Sequence, residues 1–347
     1  MVGVRIDEVE PDSAPDEVIR SHHSAYASVS RELEPEQPVV PFERYRDEMR
    51  EAVSFQKPRH LLAVLADDGA AGYATVPLEY AETNRHLVWF ELGVVASARR
   101  RHVGTSLLHA VAELALADGR TIVGSGTVAS QAGDAFARAL GFELRATERK
   151  SRLSCDRVDR ALMRRWVDDA SIAARDYELV AYDGPTPAEL VDDFVDLHHV
   201  TNTAPRDDLD MDDEVLTPER LREEEDRMSA FGVQRWRVLA RHAASGRLAG
   251  YTELLFEPHS GDHAEQGWTA VRPEHRGHGI GRWLKAVNIL RLLEERPEVE
   301  AVDTWNAFSN GPMLAINVAM GFELVRAYNG WQAPTDVVAD RAKELLG

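Results

Sequence analysis

The residues best suited to do chemistry lie in one short segment, VRPEHRGHGIGRWLK, running from Val271 to Lys285. It sets Gly277, Gly279 and Gly281 between a strand-like apolar run and an apolar-faced helical run. Glycine lets the backbone approach a ligand with no Cβ in the way. Successive N–H groups at a helix start then form a concavity suited to an anion such as a pyrophosphate. Arg276 and His278 add side-chain donors at its rim. A glycine-rich strand–helix turn with no ligand fits the same residues. A dinucleotide fingerprint fits less well, because Arg282 stands where the last glycine of G-x-G-x-x-G belongs. No G-x-x-x-x-G-K-[ST] occurs, which excludes a P-loop.

Other candidates carry less. Cys155 is the single cysteine and has no histidine near it in sequence, so nucleophilic chemistry is not expected there. One cysteine makes no internal disulfide, which favours a reducing, cytoplasmic setting. In RDDLDMDDEVLTPE, Asp208, Asp210, Asp212 and Glu219 have the spacing of calcium-loop ligands. Asp213 stands where that loop needs glycine, however, and Pro218 precedes the final Glu. A solvated acidic loop that attracts a cationic acceptor is the better reading. His22-His23 and His198-His199 point to different helix faces and make poor joint ligands. With no H-E-x-x-H present, no metal is expected. Trp283, Trp305 and Trp331 are read as packing.

These residues need elements to hold them. The chain has 347 residues, enough for two domains, and its 44% hydrophobic and 29% charged content fits a globular protein. A net charge of −19 with no long basic patch argues against nucleic acid. No signal-peptide pattern and no membrane-spanning run stands out. Apolar spacing predicts helices over about 15–50, strands in RHLLAVLAD, GYATVPLEY and HLVWFELGVV, then a basic turn, a helix, a short strand, a helix and GFELR. The second half repeats that order from YELVAYD to GFELVRAY. Thr186-Pro187 and Thr217-Pro218 are read as helix starts with threonine N-caps. Gly141-Phe142 and Gly321-Phe322 lie 180 residues apart, and the basic turns at Arg99 and Arg276 lie 177 apart. A period that long means a duplicated domain. The expected domains are 1–155 and 174–347, joined through a connecting helix within 153–175. Hairpin-like strands followed by strand–helix–strand predict an α+β class with a mixed sheet.

The glycine segment resembles the acetyl-CoA signature of the GNAT superfamily of N-acetyltransferases, Val at a strand end followed by [QR]-x-x-G-x-[GA]. A second landmark of that family is similar in VDTWNAFSNGPMLAINVAMGF: strand, asparagine, helix, Gly-Phe. The resemblance covers most of 177–330 and implies two tandem GNAT folds, each a splayed mixed sheet flanked by helices, using acetyl-CoA to acetylate a small-molecule amine. It implies that backbone groups of Thr269, Ala270 and Val271 hold the pantetheine arm. Amides of Arg276, Gly277, His278, Gly279, Ile280 and Gly281 would hold the pyrophosphate, and Asn310 would line the cleft. The first half departs from the pattern. Aligned on Val94 and Arg99, His102 stands where Gly279 does. The layout, with its degenerate first copy, is similar to mycothiol synthase. An aminoglycoside-type acetyltransferase and a non-catalytic acyl-CoA-binding module remain alternatives.

A protonated amine is not a nucleophile, and with an amine pKa of ~10 few molecules are neutral at pH 7. A carboxylate can take the proton. Many GNAT enzymes carry that glutamate eleven residues before the [QR] of the signature, which implies Glu265 here and Val88 in the first half. Glu253 is the second candidate base. The family often protonates the departing thiolate with a tyrosine four residues before the Gly of Gly-Phe. Asn317 stands there, and Tyr328 is the candidate substitute.

Overall fold

The computed structural model describes residues 3–51, 53–67 and 69–347. They fall into two compact units that interleave along the chain. Unit 1 comprises the described residues up to Thr147, with Asp207–Asp213 and Tyr328–Gly347. Unit 2 comprises Glu148–Arg206 and Glu214–Ala327.

Unit 1 contains β1 (Val4–Val9), α1 (Asp16–Leu33), α2 (Phe42–Arg50), β2 (Gln56–Leu65), β3 (Gly69–Glu79), β4 (Leu87–Trp89), β5 (Glu91–Val94), α3 (Val103–Ala117), β6 (Ile122–Val128), α4 (Gln131–Ala139) and the start of β7 (Glu143–Ser154). Strands β1, β2, β3 and β5 form one antiparallel sheet. Unit 2 contains the rest of β7, α5 (Arg160–Ala173), β8 (Tyr177–Asp183), α6 (Val191–His198), α7 (Pro218–Ala230), β9 (Gln234–His242), β10 (Leu248–Phe256), β11 (His263–Val271), α8 (Ile280–Glu295), β12 (Ala301–Ala307), α9 (Gly311–Met320) and the start of β13 (Glu323–Pro334). Its sheet runs β7-β12-β11-β10-β9-β8, antiparallel except for β11 and β12.

The interleaving follows from strand pairing. Residues 148–154 of β7 pair with β12, so the end of the first half completes the sheet of unit 2. Residues 328–334 of β13 pair with β6 in unit 1, and α10 (Thr335–Leu346) follows them into the core beside Leu107, Val111 and Leu140. Each exchanged strand gives backbone groups the partners that burial demands. The acidic segment 207–213 belongs to unit 1, to which its backbone is tied. Asp208 N donates to Arg145 O at 2.9 Å, Asp210 N to Gln332 Oε1 at 2.7 Å, and Asp212 N to Asn84 Oδ1 at 2.8 Å.

Thr217 caps α7 as expected, accepting from Arg220 N, with Pro218 at the first helical position. Thr186 does not cap a helix. It is buried, and its hydroxyl donates to Glu225 Oε1 at 2.7 Å while accepting from Arg237 Nη1 at 2.7 Å. That buried guanidinium and carboxylate take Thr186 as a shared partner, a demand from distant residues that outweighs the local helix-start pattern.

Candidate active site

Two irregularities of unit 2 build a cleft. Strands β11 and β12 pair only over His263–Glu265 and Ala301–Asp303, then separate. Past Glu265 the β12-facing edge of β11 therefore has no strand partner, although Thr304 Oγ1 still donates to Gln266 O at 3.2 Å. Unpaired backbone groups along Thr269–Val271 are suited to an amide-bearing arm. The second irregularity is a bulge. Thr252 opposes Thr269, but Leu254 opposes Gln266, so two steps of β10 match three of β11. The extra residue reverses which face the following side chains take. Glu265 consequently shares a face with Leu255, Glu253 and Tyr251, although Glu265 and Ala270 would otherwise point oppositely. Gly267 permits the bulge, since a Cβ there would lie 2.8 Å from both Glu253 Cγ and Leu255 Cδ1.

Glu265 is the last paired residue before the strands part, beside Leu255 on one side and Asp303 on the other. It is solvent-exposed. The protein nevertheless crowds it enough to matter. Partial burial pushes its carboxyl above the ordinary range, and Glu257, Glu253 and Asp303 add to that while Lys150 opposes it. A raised pKa brings a carboxylate closer to the operating pH of a general base. Asp303 is held by Arg152 at 2.6 Å. Trp268 and Trp305, one on each separating strand, are both exposed.

Glu253 is differently placed. It is buried, bonded by Arg237 Nε at 3.0 Å, and Trp268 N donates to it at 3.3 Å. Burial raises its pKa, but Arg237 and Arg235 outweigh that and hold it below the usual range. A carboxylate so stabilised is a structural anion. Tyr251 and His198, for which residue spacing predicts no site role, join through a 2.8 Å hydrogen bond, and His198 lies edge-on to Trp268. The only signal for them was a histidine on an apolar helix face.

At the glycine turn, Gly277 and Gly279 adopt left-handed φ of +86° and +75°. Gly279 opens α8, whose first turn has no side-chain cap, leaving N–H groups for an anion. A Cβ on Gly277 would meet nothing within 4 Å, and on Gly279 only Arg282 Nη2 at 3.6 Å. Protein packing does not require these glycines, so the open space suits a bound phosphate. The side chains of Arg276 and His278 turn to the protein: Arg276 Nε donates to Val271 O at 3.0 Å and Nη2 to Thr203 Oγ1 at 2.8 Å, while His278 Nδ1 lies 3.3 Å from Ala173 O. Ile280 is buried in the core below the turn. Asn310 caps α9 through Oδ1 to Met313 N at 3.4 Å.

Asn317 is buried, and its Nδ2 donates to Asn306 Oδ1 at 2.7 Å, leaving Oδ1 with no hydrogen-bond partner. Tyr328 does not join this group. It pairs with Val128 in unit 1, and its hydroxyl donates to Glu34. Cys155 is buried, and burial with Asp156 nearby pushes its thiol up to about 11, against nucleophilic use. Among the described residues no group of acidic, histidine or cysteine side chains could hold a metal ion, and no helix is long and apolar enough to cross a membrane.

Unit 1 reproduces the turn with other residues. Arg100 and His102 take left-handed φ of +61° and +63° at the positions of Gly277 and Gly279. Arg99 Nε donates to Val94 O at 3.2 Å, as Arg276 does to Val271. Val88, at the position of Glu265, is fully buried.

The sequence profile of the Acetyltransferase (GNAT) family matches residues 25–142 and 193–311. Among solved structures, a tandem GNAT protein from the clavulanic acid biosynthesis pathway is similar with a TM-score of 0.78 at 24% identity, over 96% of this chain and 99% of that one. A GCN5-related N-acetyltransferase from Sphaerobacter thermophilus is similar with a TM-score of 0.65 at 16% identity, over 96% of each chain. The glucosamine N-acetyltransferase region of a fungal multi-domain GH3 β-N-acetylglucosaminidase gives 0.66 at 13%, over 96% of this chain and 38% of that one. No curated protein matches the sequence. The profile match over two thirds of the chain, once in each half, together with the tandem fold, makes this protein an N-acetyltransferase of the GNAT family built from two GNAT domains.

Proposed function

We propose that unit 2 is the catalytic half of an acetyl-CoA-dependent N-acetyltransferase that acts on a small-molecule amine by direct transfer, with Glu265 as general base. The observation that carries this reading is the position of Glu265 at the point where β11 and β12 part, on the bulged strand that leads to the uncapped glycine turn. Amides of Arg276–Gly281 would hold the pyrophosphate and the free edge of Thr269–Val271 the pantetheine arm. Bound acetyl-CoA supplies the acyl thioester. Glu265 takes a proton from the incoming ammonium and so frees the lone pair for attack. The carboxylates around it attract that cation, and Trp268 and Trp305 give it apolar walls. We assign the two copies to 1–155 and 174–347, with the first as a scaffold of degenerate CoA motif, and a cytoplasmic setting for both.

The test is release of free thiol from acetyl-CoA across a panel of small amines. Amine-dependent release with acetylated product supports the reading. CoA binding with no release for any amine would make the chain a binding module instead.

A further inference from the structure

Helices α3 and α8 occupy the same place in the two units, yet their inner faces differ in kind. One stripe of α3 reads Gly104, Leu108, Val111, and both large residues are fully buried. The matching stripe of α8 reads Gly281, Lys285, Asn288. Lys285 is 1% exposed and Asn288 0%. Neither amide atom of Asn288 has a hydrogen-bond partner, and no carboxylate pairs with Lys285 among the described residues. A buried amide without a partner is costly, and so is a buried amine with no carboxylate beside it. Unit 1 shows that the fold is served by leucine and valine, so these polar groups answer to something other than folding.

Their direction is fixed by neighbours. A Cβ on Gly281 would lie 3.7 Å from Ile316 of α9 and 3.9 Å from Val271 at the end of β11. Three-to-four spacing continues that stripe to Lys285 and Asn288. Lys285 Nζ lies 5.6 Å from the Phe322 ring centre. Phe322 N in turn donates to Asn317 O at 3.0 Å, and Asn317 bonds Asn306 of β12. The amine therefore lies on the side of α8 that faces Ile316 of α9 and the Phe322 ring. Asn317 Oδ1 is a third buried polar atom there without a partner. Exchanging O and N in both asparagines keeps their mutual bond and would leave Asn317 Nδ2 free instead.

We propose that Lys285 is the proton donor to the departing thiolate, with Asn288 and Asn317 as the polar groups that accompany it. The proposal rests on the acetyl-transfer reading of the cleft. In the step, the C–N bond forms and the thioester C–S bond breaks. Glu265, having passed the first ammonium proton to water, takes the second as the amide forms and returns it to water; the sulfur takes a proton from the Lys285 ammonium, and the neutral lysine left behind is reprotonated from water. Burial lowers Lys285 to about 7, with no charged neighbour contributing, which suits a donor that must give up its proton near neutrality.

The test is Lys285→Met, with Lys285→Leu as the variant that imports the residue of unit 1. Two readouts separate donor from filler. With acetyl-N-acetylcysteamine, whose thiol is alkyl, kcat/KM should fall on the order of tenfold or more. With the acetyl ester of 4-nitrothiophenol, whose thiolate leaves without help, the loss should stay under about twofold. The second readout uses the free protein. A folded pKa of about 7 against ~10.4 when unfolded means that the unfolded chain binds more protons between those values, so stability rises with pH across that window. Both variants should melt at least about 2 °C higher at pH 7 and lose that rise. Equal losses with the two thioesters, or no loss with either, overturns the proposal. Absence of turnover by the unmodified protein with every amine fails the acetyl-transfer reading instead, and the melting curves then report on Lys285 alone.

Discussion

The two basic turns, at Arg99–Gly104 and Arg276–Gly281, share a backbone and differ in what they can hold. Each starts with an arginine whose Nε donates to the carbonyl five residues before it, and each places two left-handed residues at the same steps. In unit 2 those steps are glycines, with open space where a Cβ would project. In unit 1 they are Arg100 and His102, which accept a strained conformation. The second arginine contact differs too: Arg99 makes a two-pronged ion pair with Glu32 at 2.7 Å, whereas Arg276 reaches Thr203. Behind the turn, the Phe136 ring stands 3.2 Å from where a Gly104 Cβ would be, while Ile316 leaves Gly281 3.7 Å. Backbone shape is thus common to the two units, while the glycines of the turn, the carboxylate of Glu265 and the polar inner face of α8 occur in unit 2 alone.

The contrast is sharpest at the pair Val88 and Glu265. Glu265→Gln keeps the shape and removes the proton acceptor, so turnover at neutral pH should fall by about 10²–10⁴-fold with little change in CoA affinity. Because its carboxyl is raised, wild-type activity should climb as pH rises through that titration, and the variant should lack the climb. The deficit should shrink at high pH, where more amine is already neutral. Near-normal turnover at pH 7 would reduce Glu265 to a bystander.

Next comes Gly279→His, which writes the turn of unit 1 into unit 2. Blocking approach of the amides to a phosphate should raise the Michaelis constant for acetyl-CoA on the order of tenfold with turnover kept. Calorimetry on the unmodified chain should find one CoA site, and two sites of similar affinity would erase the distinction between the turns. The reverse change is smaller. His102→Gly relieves a left-handed residue and should stabilise the chain by about 1 kcal/mol in chemical denaturation, less the added freedom of glycine when unfolded. An unchanged midpoint would mean that the strain is negligible. The smallest effect is expected at Tyr328→Phe. Its hydroxyl serves Glu34 in unit 1, so turnover should change by less than about twofold, and a larger loss would return Tyr328 to the chemistry.

Much of this was legible in the chain before folding. The repeat, the two Gly-Phe landmarks and the glycine turn are matters of residue type and spacing, while Glu265 was reached through the family resemblance; local spacing survives into structure because helix and strand periods are fixed by the backbone. Thr217-Pro218 likewise announces its helix. The charges of the acidic run 207–213 are visible in sequence, but its backbone partners, Arg145, Gln332 and Asn84, are not.

What the tertiary structure decided is everything that depends on which distant group arrives. Thr186 was diverted from capping by Glu225 and Arg237. Glu253 became a buried ion-pair partner rather than a base. Glu265 faces the cleft through a one-residue bulge opposite Thr252–Leu254 that no alternation pattern foretells. Tyr328 left the second half because residues 328–334 complete the sheet of unit 1 through β6. Lys285 and Asn288 lie in a predicted helix, and only the packing of α8 shows that both are buried. In each case the sequence by itself determined the residue's chemistry, while its surroundings were set by desolvation or by residues more than ten positions away, which only the packed chain brings together.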